Sequence, residues 1–373
     1  RESKLLPLQT MEPGCTEFPT SPQEAGVNQL ELAGNQDETH QKRRESEMKL
    51  VYRWMPGVCL ALQLITGAWA ATAQGQAAAY LKFGIDSRIL GMGGAGVALS
   101  RDVNSTYWNP AGLAYLKDRE GAAMHTSLSL DRNYNYFAIG MPSKIRSRRD
   151  WVFGLAYHRF SVGGIPETRV YPGSTEPILT MDCVAGTCNR VNNPSPATDS
   201  VKIFSFFEDA ESYLSVTAAT RWNDKVSLGG SFKFLNQTLF TEEADGIGFD
   251  VGVQYQHSKN TTFGLTLRDM FESLDWSTGR KDDVPLTLTL GGAVKLQSGI
   301  HVAVDVLRRE RERTAFRFGL EQWFWDRYGI RVGNNEGEFT VGASAKLQDW
   351  TFDFAYNDDD LGSVQRISLK RRF

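Results

Sequence analysis

Cysteine and histidine are scarce, with four and five residues in 373, and no Gly-x-Ser-x-Gly occurs. Those shortages remove the simplest routes to chemistry. His125, His158, His257 and His301 fall on four separate candidate strands, so spacing assembles no Ser/His/Asp set and no enzyme is expected. Cys183 and Cys188 have neither a histidine nor a second cysteine pair nearby, which argues against a metal site. No metal and no cofactor is expected. Charge of one sign does not dominate either, and a net charge of −3 gives no reason to invoke nucleic acid. A mean hydropathy of −0.35 excludes a helical membrane protein.

Against these shortages stands one repeated unit. From about Gly121 to Phe373 the chain runs through segments of roughly ten residues with alternating apolar and polar side chains, each followed by a turn. Between residues 286 and 297, Leu286, Leu288, Leu290, Gly292, Val294 and Leu296 share one face, and Thr287, Thr289, Gly291, Ala293, Lys295 and Gln297 the other. One face suits lipid and the other water. The last segment sets Ile367, Leu369 and Phe373 against Arg366, Ser368, Lys370 and Arg372, with Arg371 alone out of phase. Strand candidates centre on Met124, Ile139, Leu155, Val216, Phe232, Val251, Leu265, Leu288, Val304, Phe318, Ile330, Val341, Phe354 and Ile367. The connections alternate short and long, with short turns such as Asn223-Asp224, Ser258-Lys259 and Asp326-Arg327 on the periplasmic side. The pattern predicts an all-β fold: a transmembrane antiparallel β-barrel of about 14 strands, with an N-terminal plug segment inside the lumen.

The remaining segments fit export to an outer membrane. Residues 48–73 read as a cleaved signal peptide, with Met48, Lys49 and Arg53 as its basic end, an apolar run and Ala71-Thr72-Ala73 as its cleavage site. Residues 1–47 read as a disordered extension or the product of an upstream start. Residues 74–120 are rich in Gly and Ala without sustained alternation and form the expected plug; residues 121–373 form the barrel. The long link 163–210 is an outside loop or lid, within which Cys183 and Cys188 would form a disulfide. Phe204, Phe206 and Phe207 are candidates to line an apolar pocket beside it, with a strand start or a self-packing lid as alternatives. Trp151, Trp222, Trp323, Trp325, Tyr328 and Trp350 suit an interfacial girdle.

Parity places Lys233, Lys295, Asp305, Arg317, Glu321, Arg331, Lys346, Asp353, Arg366 and Lys370 in the lumen, because Arg or Lys on the lipid face costs about 2 to 4 kcal/mol at the midplane. Pairing among themselves and with the plug is favoured over conduction. The run Arg308-Arg309-Glu310-Arg311-Glu312-Arg313 reads as a solvated loop tip, with lipopolysaccharide phosphate as its sharper partner.

Gly91, Gly93, Gly94 and Gly96 match G-x-G-x-x-G, but no strand-helix-strand context surrounds them, so close backbone approach in a crowded lumen is the better reading. The run from Asp86 to Leu99 and the run from Asp102 to Ala114, containing Asn109-Pro110-Ala111, resemble the N-terminal signature of the PorV/PorQ family, within the FadL-like outer-membrane barrel superfamily. That resemblance spans about thirty residues of the chain. It implies a fourteen-stranded barrel with an inward-folded plug; separately, the final strand ending on Phe373 resembles the signal read by the bacterial barrel-assembly machinery. In function it implies type IX protein secretion, with secreted cargo and secretion subunits as partners. The alternative it carries is FadL-like uptake of fatty acids or other hydrophobic molecules across the outer membrane.

Overall fold

The computed structural model describes residues 78–143, 150–172, 178–184, 187–193, 199–359 and 362–373. The expected signal peptide and the residues before it lie outside that set. Fourteen strands form the wall, numbered here in chain order. They are β1 (Glu120–Leu128), β2 (Arg132–Pro142), β3 (Trp151–Pro172), β4 (Asp199–Arg221), β5 (Val226–Leu239), β6 (Glu242–Ser258) and β7 (Thr261–Trp276), then β8 (Thr287–Lys295), β9 (His301–Arg309), β10 (Ala315–Phe324), β11 (Tyr328–Asn335), β12 (Glu338–Leu347), β13 (Trp350–Asp359) and β14 (Gly362–Arg372). Each pairs antiparallel with the next, and β14 pairs with β1 from Glu120↔Arg372 to Ser127↔Gln365, which closes the sheet. Closure leaves no wall edge with unpaired backbone groups, the condition for crossing hydrocarbon with strands.

Alternation decides which face turns inward. On β10 and β11, Phe316, Phe318, Leu320, Ile330 and Val332 are exposed, whereas Glu321 and Arg331 between them are fully buried. A barrel with apolar side chains outside and ionised ones inside is a protein whose solvent is lipid on one face only. All fourteen strand centres read from the alternation lie on wall strands.

The wall is not of even height. β3 and β4 are 22 and 23 residues long, against 9 each for β8 and β9. Much of the link expected as a loop over 163–210 is therefore sheet: β3 and β4 stay paired out to Pro172↔Asp199, with irregularities at Val162/Ile165 and Glu167/Thr168. Prolines are tolerated there because a two-stranded ribbon outside the wall leaves one backbone edge unpaired. Beyond it, Ile178–Val184 and Thr187–Asn193 form a separate hairpin whose backbone pairs Cys183 with Cys188. Their side chains lie outside the description, and so does the expected disulfide.

Candidate functional site: the lumen and its inner segment

Residues 78–116 fold as short turns rather than strands, and they lie inside the barrel. Those turns are the 3-10 turns Ala79–Lys82 and Pro110–Tyr115 and the single helical turns Ser87–Leu90 and Ser105–Trp108. Polar side chains hold this compact path together. Asn109 joins three segments at once: its Oδ1 accepts from Ala111 N–H at 3.1 Å, and its Nδ2 donates to Val97 O at 2.9 Å and to Val253 O of β6 at 3.1 Å. Pro110 at the next position supplies a fixed φ to start the 3-10 turn. Gly93 sits at φ +68°, where a β-carbon would collide with Asn334 O and Phe318 O of the wall. Wall glycines answer it, since a β-carbon at Gly333 would strike Gly93 N. The contacts go round the full circumference: every one of the fourteen strands meets the inner segment.

One side of the lumen is ionic. Glu321 on β10 accepts from Arg88 of the inner segment at 2.7 and 2.8 Å, from Arg331 of β11 at 2.7 Å and pairs with His301 of β9 at 3.0 Å. Arg331 continues to Ser344 at 2.5 Å and lies 3.6 Å from Asp353. Asp305 accepts from Val97 N–H at 3.0 Å, Lys370 bonds Asp102, and Arg366 bonds Asn357. A second group centres on Lys233, whose Nζ lies 3.0 Å from Asp250, 2.5 Å from Asp269 and 2.7 Å from Glu272, all buried. Arg317 joins Glu336 at 3.0 Å, and Glu336 also takes Arg309 at 2.9 Å. Glu336 stands in the outside turn between β11 and β12. Burial pushes its carboxyl up, but the Arg309 and Arg317 guanidiniums outweigh that and hold it at about 2. Lys295 and Lys346 keep inward register but stand at exposed periplasmic ends; Lys346 Nζ lies 3.8 Å from the Trp323 ring centroid.

Several expectations are corrected here. Trp323 shares the inward register of Glu321 and lies under Arg331 at 5.2 Å, so it is not part of an outer girdle. The charged run 308–313 is not wholly solvated: Arg309 is buried, and Glu312 bonds both Arg309 and Lys82 of the inner segment at the lumen mouth. Phe206 is exposed on the outward register of β4 and Phe204 is exposed at the irregularity opposite Glu167/Thr168, so neither lines the lumen, while Phe207 packs on Phe240 with centroids 5.1 Å apart. Both stand on the β3–β4 ribbon beyond the wall, because β4 extends through them as strand where a loop was expected.

The other side of the lumen is aromatic, and the sequence reading did not find it. Tyr134 and Tyr136 of β2, His158 and Phe160 of β3 and Tyr213 of β4 are all buried inside the barrel. His158 stacks on Tyr213 at 3.9 Å, and its Nδ1 bonds Tyr134 OH at 2.8 Å. Into this group the inner segment inserts Tyr80, Leu81 and Phe83. Tyr80 faces Phe160 at 6.4 Å and Tyr213 at 6.0 Å, and Phe83 faces Phe160 at 5.1 Å and Tyr134 at 6.2 Å. Leu128, Leu235, Leu274 and Val284 complete the apolar cluster. The available signal was parity: Tyr134 and Tyr136 alternate with Asn133 and Asn135, out of phase with the lipid-facing Phe137 and Ile139 that follow.

No family model matches the sequence, and no curated protein matches it. Solved structures do. The toluene transporter TbuX of Ralstonia pickettii superposes with a TM-score of 0.51 at 16% identity, over 78% of this chain and 98% of its own. The monoaromatic hydrocarbon channel CymD gives 0.53 at 13% identity over 78% and 98%. A FadL homologue of Pseudomonas aeruginosa gives 0.51 at 11% identity over 77% and 98%. At such identities the likeness concerns the fold alone.

Proposed function

We propose that the protein is a non-enzymatic channel of a Gram-negative-type outer membrane that passes hydrophobic small molecules, with monoaromatic hydrocarbons and fatty acids as the classes to try first. One observation carries this reading: an aromatic cleft inside an otherwise ionic lumen, filled by the chain's own Tyr80, Leu81 and Phe83. Apolar side chains inserted among Tyr134, Phe160 and Tyr213 occupy the room that an apolar solute would need. A solute entering from outside competes with them, and the inner segment then acts as the gate. Three structures of the same fold are by name a toluene transporter, a monoaromatic hydrocarbon channel and a FadL homologue, which supports the solute class.

This order reverses the expectation drawn from the N-terminal signature, which set protein secretion first. The long outside link that would meet cargo lies largely beyond the described side chains, and none of those three neighbours is by name a secretion component. The test is uptake of labelled toluene and oleate into proteoliposomes. Saturable uptake above empty liposomes, increased several-fold by Tyr80→Ala/Phe83→Ala, is expected. No uptake of either solute by wild type and variant alike overturns the reading.

A further inference from the structure

The outer wall holds a feature that passage through the lumen does not use. Where β14 closes onto β1, the outward positions of β1 toward the periplasmic end are Gly121 and Ala123, followed by His125 and Ser127 farther out. The first two leave a depression between Leu369 on one flank and Phe137, Ile139, Leu155, Tyr157 and Leu214 on the other. The result is an apolar groove of about 460 Å³, within the roughly 300 to 1,000 Å³ typical of ligand clefts.

Arg371 lines the periplasmic end of that groove. It follows Ile367 and Leu369 at two-residue steps on β14 and so faces outward, the one charge of that strand in conflict with the lipid-facing pattern. Its guanidinium lies 4.7 Å from the centroid of Trp350 and 4.9 Å from that of Phe373. Among the described residues no carboxylate pairs with it. A cation held between two rings at the membrane surface keeps its donors available to an anion, and an Arg fork suits phosphate. Directly above it the wall is apolar and recessed.

We propose that this groove binds one anionic phospholipid of the periplasmic leaflet, with an acyl chain laid over Ala123, beside the Phe373 ring that covers Gly121, and the phosphate on Arg371. Charge complementarity selects the headgroup, and the missing side chains of β1 select the position on the wall. Nothing in the lumen enters the proposal, so it stands or falls separately from the passage reading.

The experiment places the intact barrel in nanodiscs of equal phosphatidylglycerol and phosphatidylethanolamine and strips lipid stepwise in detergent, counting retained lipids by native mass spectrometry. Wild type is expected to keep a single phosphatidylglycerol after the other lipids have gone, with at least a ten-fold preference over phosphatidylethanolamine. Arg371→Gln should keep either lipid without preference. Ala123→Leu, which fills the groove from the lipid side, should keep neither, and Ile367→Leu, outside the groove, should behave as wild type. Equal retention of both lipids by wild type overturns the proposal. So does a preference that survives Arg371→Gln, or retention that survives Ala123→Leu. Far-UV circular dichroism melts of each variant identify any that has lost the barrel, and the remaining substitution then decides.

Discussion

Replacing Glu321 by Ala removes the joint between the inner segment and the wall. Its carboxylate is fully buried and takes Arg88 through two hydrogen bonds at 2.7 and 2.8 Å and Arg331 at 2.7 Å. Without it two guanidiniums face each other in a largely buried site, and removing one partner of such a buried set costs on the order of 3 to 5 kcal/mol. The wall keeps its ladder of backbone bonds, so the loss falls on the segment that Arg88 tethers. At about 1.4 kcal/mol per decade this makes opening of that segment roughly 10²- to 10⁴-fold more frequent. The amides of Leu90, Gly91 and Gly94, which donate to Asp86, Ser87 and Ile89, report it directly by hydrogen exchange. They should lose two to four decades of protection, while strand amides of β2 to β4 hold theirs. Unchanged protection at those three amides, or an equal loss across the wall, refutes the reasoning.

Three further outcomes follow from the same geometry. Gly333→Val drives a side chain into Gly93 N and Met92 C, so the inner segment cannot seat; trypsin should cut at Arg88 in the folded variant and not in wild type, and equal resistance would contradict the close approach. Lys233→Met leaves Asp250, Asp269 and Glu272 buried without their shared cation, and the guanidinium unfolding midpoint should fall by an amount equivalent to roughly 3 to 5 kcal/mol; coincident midpoints would show that the lysine is dispensable. Glu336 is held at about 2, below its ordinary value near 4.3. Its contribution is therefore complete above about pH 4.5 and lost as pH falls toward 2, so the melting-temperature gap between wild type and Glu336→Gln should close across that window. A gap independent of pH would mean that the pairing with Arg309 and Arg317 does not stabilise the fold.

The wall was legible in the sequence because lipid on one side and a polar lumen on the other impose a strict period of two, and one slip would turn every side chain over. Arg331 and Asp353 could be assigned inward from neighbours such as Ile330 and Phe354 alone. The aromatic cleft was legible only through the same parity, against the character of its residues. Tyr136 and Tyr213 look like lipid-facing residues, and only continuous counting along β2 and β4 from Phe137 and Leu214 turns them inward. The extent of β3 and β4 was hidden by Pro166 and Pro172, which read as loop and yet sit in a paired ribbon. Glu321 and Arg331 are ten residues apart on neighbouring strands, but the arrival of Arg88 between them is a contact across 233 residues, and no local spacing encodes it.

The contact of residues 78–116 with all fourteen strands also bears on how the barrel comes to have its size. A sheet that closes on itself has no intrinsic circumference; twelve or sixteen similar strands would satisfy the same backbone pairing. Here the inner segment touches both sides of the closing joint. Ser87 meets Ser368 on the last strand at 3.1 Å, and Val103 meets Glu120 on the first at 3.0 Å, so both lips of the closing joint are registered against one short stretch of chain. The two lips of the joint are thereby tied to each other through the lumen as well as through their shared backbone ladder.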